Sequence, residues 1–129
     1  MSAPVEPLSG HCHCGAIRYR VTAAPTFCFL CHCSDCSRLN GGLRLAGATV
    51  DAASFTMEGQ PSTYRYQGGK GAVEVQFCGT CGTPVCARPE TYPGALVVRA
   101  NSFDDPSSFQ PHKSIFTDHA CAWETHVGG

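Results

Sequence analysis

The chain has 129 residues and a formal net charge of −1, with only 15% of its residues charged. That length suits one domain, residues 1–129. The charge balance supplies no basic patch for nucleic acid, and no apolar run approaches the roughly 20 residues needed to cross a bilayer. With Gly 14 and Cys 10, the composition predicts a small glycine-rich core, to which bound metal can add folding free energy.

Residues 1–9 read as a flexible or loosely packed start. They carry no basic or apolar leader pattern, which predicts a cytoplasmic, reducing setting. Alternation then dominates the chain. Ala16–Val21 alternates apolar and basic residues, as a half-buried strand does. Leu43–Val50 reads as a second strand. Ser34–Asn40 is long enough for one short helical turn. Ser54–Glu58 and Thr63–Tyr66, separated by Gly59-Gln60-Pro61, suggest a hairpin-like pair. Ala72–Phe77 follows the loop Gly68-Gly69-Lys70-Gly71, which lacks the form of a phosphate-binding loop and reads as a hairpin turn. Ala95–Ala100 and Lys113–Thr117 complete the set. The fold class expected is mainly β, antiparallel, with little helix.

The cysteines carry the chemistry. Eight of the ten fall in Cys12-His13-Cys14, in Cys28 through Cys36, and in Cys78-Gly79-Thr80-Cys81. Neighbouring thiols at such spacing suit the corners of a zinc tetrahedron. A disulfide framework is the rival reading, but Cys-x-Cys closes too small a ring for an unstrained bond, and a reducing compartment keeps thiols free. Cys12, Cys14, Cys78 and Cys81 are expected to form a closed structural zinc site. There the Cys-x-x-Cys turn meets two cysteines at the entrance to a strand.

Cys31, Cys33 and Cys36 supply three sulfurs, which leave one position of a second zinc open for water or a thiol. Such coordination favours the nucleophilic thiolate. Cys28 is either a fourth ligand or a buried thiol on the opposite face of the strand; alternation favours the second. Cys86 and Cys121 read as isolated core thiols. His11, His13 and His32 alternate with cysteines, so their side chains leave the metal face. His112, His119 and His126 sit in a loop-rich tail. Arg38, Arg44, Arg65, Lys70 and Arg99 are candidate anion contacts, each read first as a solvated surface charge.

Three segments together resemble one family. They are Gly10-x-Cys12-x-Cys14-Gly15-Ala16-Ile17-x-Tyr19, Cys31-His32-Cys33-Ser34-x-Cys36 and Phe77-Cys78-x-x-Cys81-Gly82-Thr83-Pro84. They look like the glutathione-dependent formaldehyde-activating enzyme family, also called centromere-protein-V-like. The resemblance implies a β-tent of antiparallel sheets stitched by up to two Zn²⁺ per chain. It implies structural zinc at Cys12, Cys14, Cys78 and Cys81. It also implies a catalytic zinc at Cys31, Cys33 and Cys36 that receives the glutathione sulfur. The implied activity joins glutathione to formaldehyde as S-hydroxymethylglutathione, and is classed for the reverse direction as a carbon–sulfur lyase. The partners expected are a small thiol and an aldehyde, with no nucleic acid and no membrane. Two positions depart from the family pattern: Ser37 follows the third thiol of the second site, and Ser114 stands where a histidine is common. The alternative function is a noncatalytic binding module with both zinc sites structural.

Overall fold

A computed structural model of the chain describes residues 8–124. The expectations for residues 1–7 and for His126 lie outside the described residues. Leu8 and Ser9, read as part of a loose start, instead open a strand. Ten strands and one α-helix are described: β1 (Leu8–His11), β2 (Arg18–Val21), β3 (Phe27–Cys31), α1 (Ser34–Asn40), β4 (Leu45–Asp51), β5 (Phe55–Glu58), β6 (Ser62–Gly68), β7 (Gly71–Phe77), β8 (Pro84–Pro89), β9 (Ala95–Arg99) and β10 (Lys113–Ile115). They form a three-stranded sheet, β1-β2-β5, and a seven-stranded sheet, β10-β3-β4-β9-β8-β7-β6. The mainly β expectation holds. None of the described helices is long and apolar enough to cross a membrane.

Alternation produces the two layers. In β2, Tyr19 and Val21 are buried while Arg18 and Arg20 are exposed. The buried set meets Cys28, Ala48, Val50, Leu96 and Val98 of the larger sheet in one apolar core. Tyr19 stacks on Phe55 at 5.4 Å between ring centres, and its hydroxyl reaches Ser102 Oγ at 2.6 Å. That bond satisfies the one polar atom this ring carries into the core.

Two expectations are corrected. β5 and β6 do not pair as a hairpin: β5 pairs with β2, and β6 pairs with β7 across the tight turn at Gly68↔Gly71. Gly59-Gln60-Pro61 carries the chain from one sheet to the other. Gly59 makes that exit at φ +93°, where a side chain would be strained and would overlap the Ala16 carbonyl oxygen. The antiparallel reading also has one exception, since β10 runs parallel to β3 at the sheet edge. The connection from β9 to β10 is long enough to return the chain in the same direction.

Candidate metal centres

Two turns build the first cluster. After β1, the chain closes a turn with Gly15 N–H donating to the Cys12 carbonyl and Cys12 N–H to the Ile17 carbonyl. After β7, the same pattern recurs, with Gly82 N–H donating to the Cys78 carbonyl and Cys78 N–H to the Thr83 carbonyl. Gly15 and Gly82 both sit at φ +82°, in the left-handed region that lets the amides curl back toward the sulfurs. The turns touch where His13 N–H donates to Thr83 Oγ1 at 3.1 Å. The sulfurs of Cys12, Cys14, Cys78 and Cys81 then lie within 4.8 Å of one another.

The spacing fits a metal. Sulfurs about 2.3 Å from one zinc lie about 3.8 Å apart at the corners of a tetrahedron. The Cys12–Cys14 and Cys14–Cys78 sulfur separations are 3.6 Å and 3.7 Å. Ile17 N–H points at Cys12 Sγ over 3.3 Å. The Thr83 hydroxyl, 3.2 Å from Cys81 Sγ, pulls that thiol down to about 5, with help from backbone amides. These donors favour the anionic sulfur that a metal requires.

The second cluster is local. Cys31 ends β3, Cys33 caps α1, and Cys36 lies in its first turn, with the three sulfurs again within 4.8 Å. Cys36 N–H donates to Cys33 Sγ at 3.3 Å, so one thiol both caps the helix and joins the cluster. A hydrogen bond from Cys36 holds the Cys31 thiol down at about 6 against the opposing effect of burial. The same bond, with burial, drives the Cys36 thiol well up.

Cys31, Cys33 and Cys36 line the wall of a cleft of about 460 Å³, together with Phe29, Tyr66, Lys70, Tyr92, Phe116 and His119. The first cluster has four sulfurs; this one has three and an open side. Phe116 stands at the cleft with φ +53° and ψ +42°, an uncommon backbone for a bulky residue.

The other sequence candidates separate clearly. Cys28 is buried in the core and is not one of the gathered sulfurs. His112 holds that strand edge instead, accepting from Cys28 N–H at 3.0 Å and donating its own N–H to the Cys28 carbonyl at 2.7 Å. His32 is not one of the gathered ligands and instead contacts Glu124, with Nδ1 at 3.0 Å from Oε2, and Arg44 lies 3.6 Å from the other oxygen. His11 pairs with Asp104. Cys86 is buried, whereas Cys121 is exposed rather than a core thiol. Among the basic candidates, Lys70 reaches the cleft, Arg44 is engaged by Glu124, and Arg65 forms a two-bonded pair with Glu90. Arg99, read as a surface charge, is buried at 3% exposure.

Comparison with known proteins places most of the chain in one family. A family model described as glutathione-dependent formaldehyde-activating enzyme matches residues 7–119. A Halomonas elongata protein provisionally named glutathione-dependent formaldehyde-activating enzyme is 30% identical over 115 residues, covering 82% of this chain and 71% of that protein. The crystal structure of a Rhodobacter sphaeroides protein superposes with a TM-score of 0.63 at 24% identity, covering 82% of this chain and 98% of that one. The last likeness speaks to the fold.

Proposed function

Because the chain belongs to the glutathione-dependent formaldehyde-activating enzyme family, we propose that it is a zinc-dependent carbon–sulfur lyase that interconverts a thiol and formaldehyde with their adduct. Glutathione is the first thiol to test, and S-hydroxymethylglutathione the expected product. The observation that carries this reading is the set of three thiols, Cys31, Cys33 and Cys36, gathered on the wall of a cleft. Cys12, Cys14, Cys78 and Cys81 are the structural set, and the β-tent arrangement belongs to the same reading.

Zinc held there would supply a Lewis acid that favours a thiol in its thiolate form. The remaining work falls to the chain. Cys31 at the end of β3 and Cys33 and Cys36 at the start of α1 would hold the metal at the cleft wall. Phe29, Tyr66 and Tyr92 offer apolar walls that displace water from the reacting atoms. Lys70, at the same cleft, can meet a substrate carboxylate in a charge-assisted contact. In the forward direction a sulfur–carbon bond forms, the carbonyl π bond breaks, and the thiol proton ends on the former carbonyl oxygen. Addition proceeds without a catalyst, so holding sulfur and carbon together is the main contribution required.

The test is the exchange rate between formaldehyde hydrate and the glutathione adduct, read by NMR with and without protein. Wild type should accelerate exchange and Cys33→Ser should not. Equal rates with and without zinc-loaded wild type would remove the enzyme reading and leave a zinc-stabilised binding module.

A further inference from the structure

Arg99 is a buried cation without an acidic partner among the described residues. It ends β9 opposite Gly47 of β4, and Gly47 lies opposite Phe29 of β3. Directly paired residues share a face of the sheet, and residues two apart along a strand share it too. Phe29, Cys31 and Arg99 therefore belong to the face that carries the cleft. The row between them contains only a glycine. A Cβ at Gly47 would overlap the Phe29 ring and press on Val97, so nothing larger fits there.

Arg99 is 3% exposed, and its Nε has no hydrogen-bond partner among the described residues. None of the ion pairs among the described residues includes it. Burial pushes its pKa down, and the groups whose charge counters that include Cys36, Tyr66, Cys86 and Cys31. A guanidinium held out of water with no counter-charge is strongly unfavourable. Three thiolates around a divalent cation carry a net charge of about −1, and a fourth, substrate thiolate brings it to about −2. Burying that charge has the opposite deficit.

We propose that Arg99 is the counter-ion of the second thiolate cluster, a positioning residue that stabilises metal at Cys31, Cys33 and Cys36 and the additional thiolate that joins it. The inference rests on the proposed metal at that cluster, and does not depend on which thiol or aldehyde is used. Outer partners of metal ligands typically change affinity by about 10- to 100-fold when removed.

The experiment compares wild type, Arg99→Met and Arg99→Lys. Zinc affinity of each cluster is measured by chelator competition, and the cobalt–thiolate charge-transfer band is recorded with and without glutathione. Arg99→Met should weaken the second zinc by about 10-fold or more, leave the first unchanged, and diminish the glutathione-induced change in the cobalt band. Arg99→Lys should recover part of both, since it restores charge without the guanidinium geometry. With the second cluster stripped of metal, Arg99→Met should melt at or above wild type, because the removed cation then has no partner to lose. Unchanged second-site affinity, equal weakening at both clusters, a lysine variant no tighter than the methionine one, or unfolding of the stripped Arg99→Met protein would each overturn the proposal. Wild type that takes up no second metal overturns the proposed function as well. Wild type that takes up the metal without accelerating adduct exchange overturns the proposed activity alone.

Discussion

Replacing Cys81 and replacing Cys33 should have opposite consequences, although each removes one thiol from a cluster. Cys14 and Cys78 stand 64 residues apart in sequence and 3.7 Å apart at sulfur. A cross-link closing a loop of that length removes about 4 kcal/mol of chain entropy from the unfolded state. For a chain of this size, 1 kcal/mol corresponds to roughly 4 °C in melting temperature, so full loss of the cross-link is worth about 15 °C. Three ligands remain in Cys81→Ser, and we expect a fall of about 10 °C with zinc loss from the first cluster. In the second cluster, all three ligands lie between positions 31 and 36, so the metal closes no long loop. Serine is itself a favoured helix cap, so Cys33→Ser retains an acceptor for Cys36 N–H. Its melting temperature should stay within about 3 °C of wild type while one zinc per chain is lost. Thermal melts by circular dichroism, paired with elemental analysis, decide the matter. Equal falls for the two variants would refute the division into a folding site and a working site.

Gly10→Ala should be the most damaging small substitution in β1. A Cβ there would overlap both the Tyr19 hydroxyl, which is held by Ser102 Oγ in the core, and the Ser102 carbonyl oxygen. We expect a loss of about 3 kcal/mol in urea-unfolding free energy, and a loss under about 1 kcal/mol would show that the strand yields easily. Asp104 provides a pH test. Hydrogen bonds from Ser9 and then His11 hold its carboxyl below the ordinary range. A carboxyl depressed in the folded state adds stability above its unfolded pKa of about 3.9, and that stability is lost as pH falls through the folded value. Urea midpoints for wild type and Asp104→Asn should therefore differ near neutrality and converge in acid; a constant difference would contradict the assignment.

Both cysteine groupings were legible because spacing alone limits where sulfurs can point. Cys12-x-Cys14 and Cys78-x-x-Cys81, each followed by glycine, are turns before they are ligands. Alternation likewise exposed β2, β4 and β7. It says nothing about partners, however, and the link Gly59-Gln60-Pro61 resembles a reversal as closely as it resembles an exit. β3 and β8 were harder to see as strands, because both faces of Phe27–Cys31 and Pro84–Pro89 carry apolar or thiol side chains and no clean two-residue period survives. Arg99 reads as a surface charge for a related reason. An arginine at the end of an apolar run looks solvated until the register of β4 and β9 places it beneath the cleft. The Glu124–His32 contact had no local signal, since 92 residues separate the pair.

The two clusters show how sequence separation decides what a metal site can do. Cys12 and Cys14 belong to the turn that leads into β2 of the small sheet, whereas Cys78 and Cys81 belong to the turn between β7 and β8 of the large one. On the proposed assignment metal there would tie two layers together, adding to the apolar core and to a few hydrogen bonds such as His13 N–H to Thr83 Oγ1. The second cluster is drawn from one strand end and the helix beginning three residues later, which remain joined by backbone whether or not metal is present. β4 pairs with all of β3 and β10 with its second half, and both pairings include Cys31. On the proposed assignment, metal at this end would have no folding role. A ligand position can then stay open, or be filled by a substrate sulfur, without a penalty to the fold. On the proposed assignment, identical thiol chemistry would serve structure where the cysteines come from distant parts of the chain and would be free for reaction where they come from one.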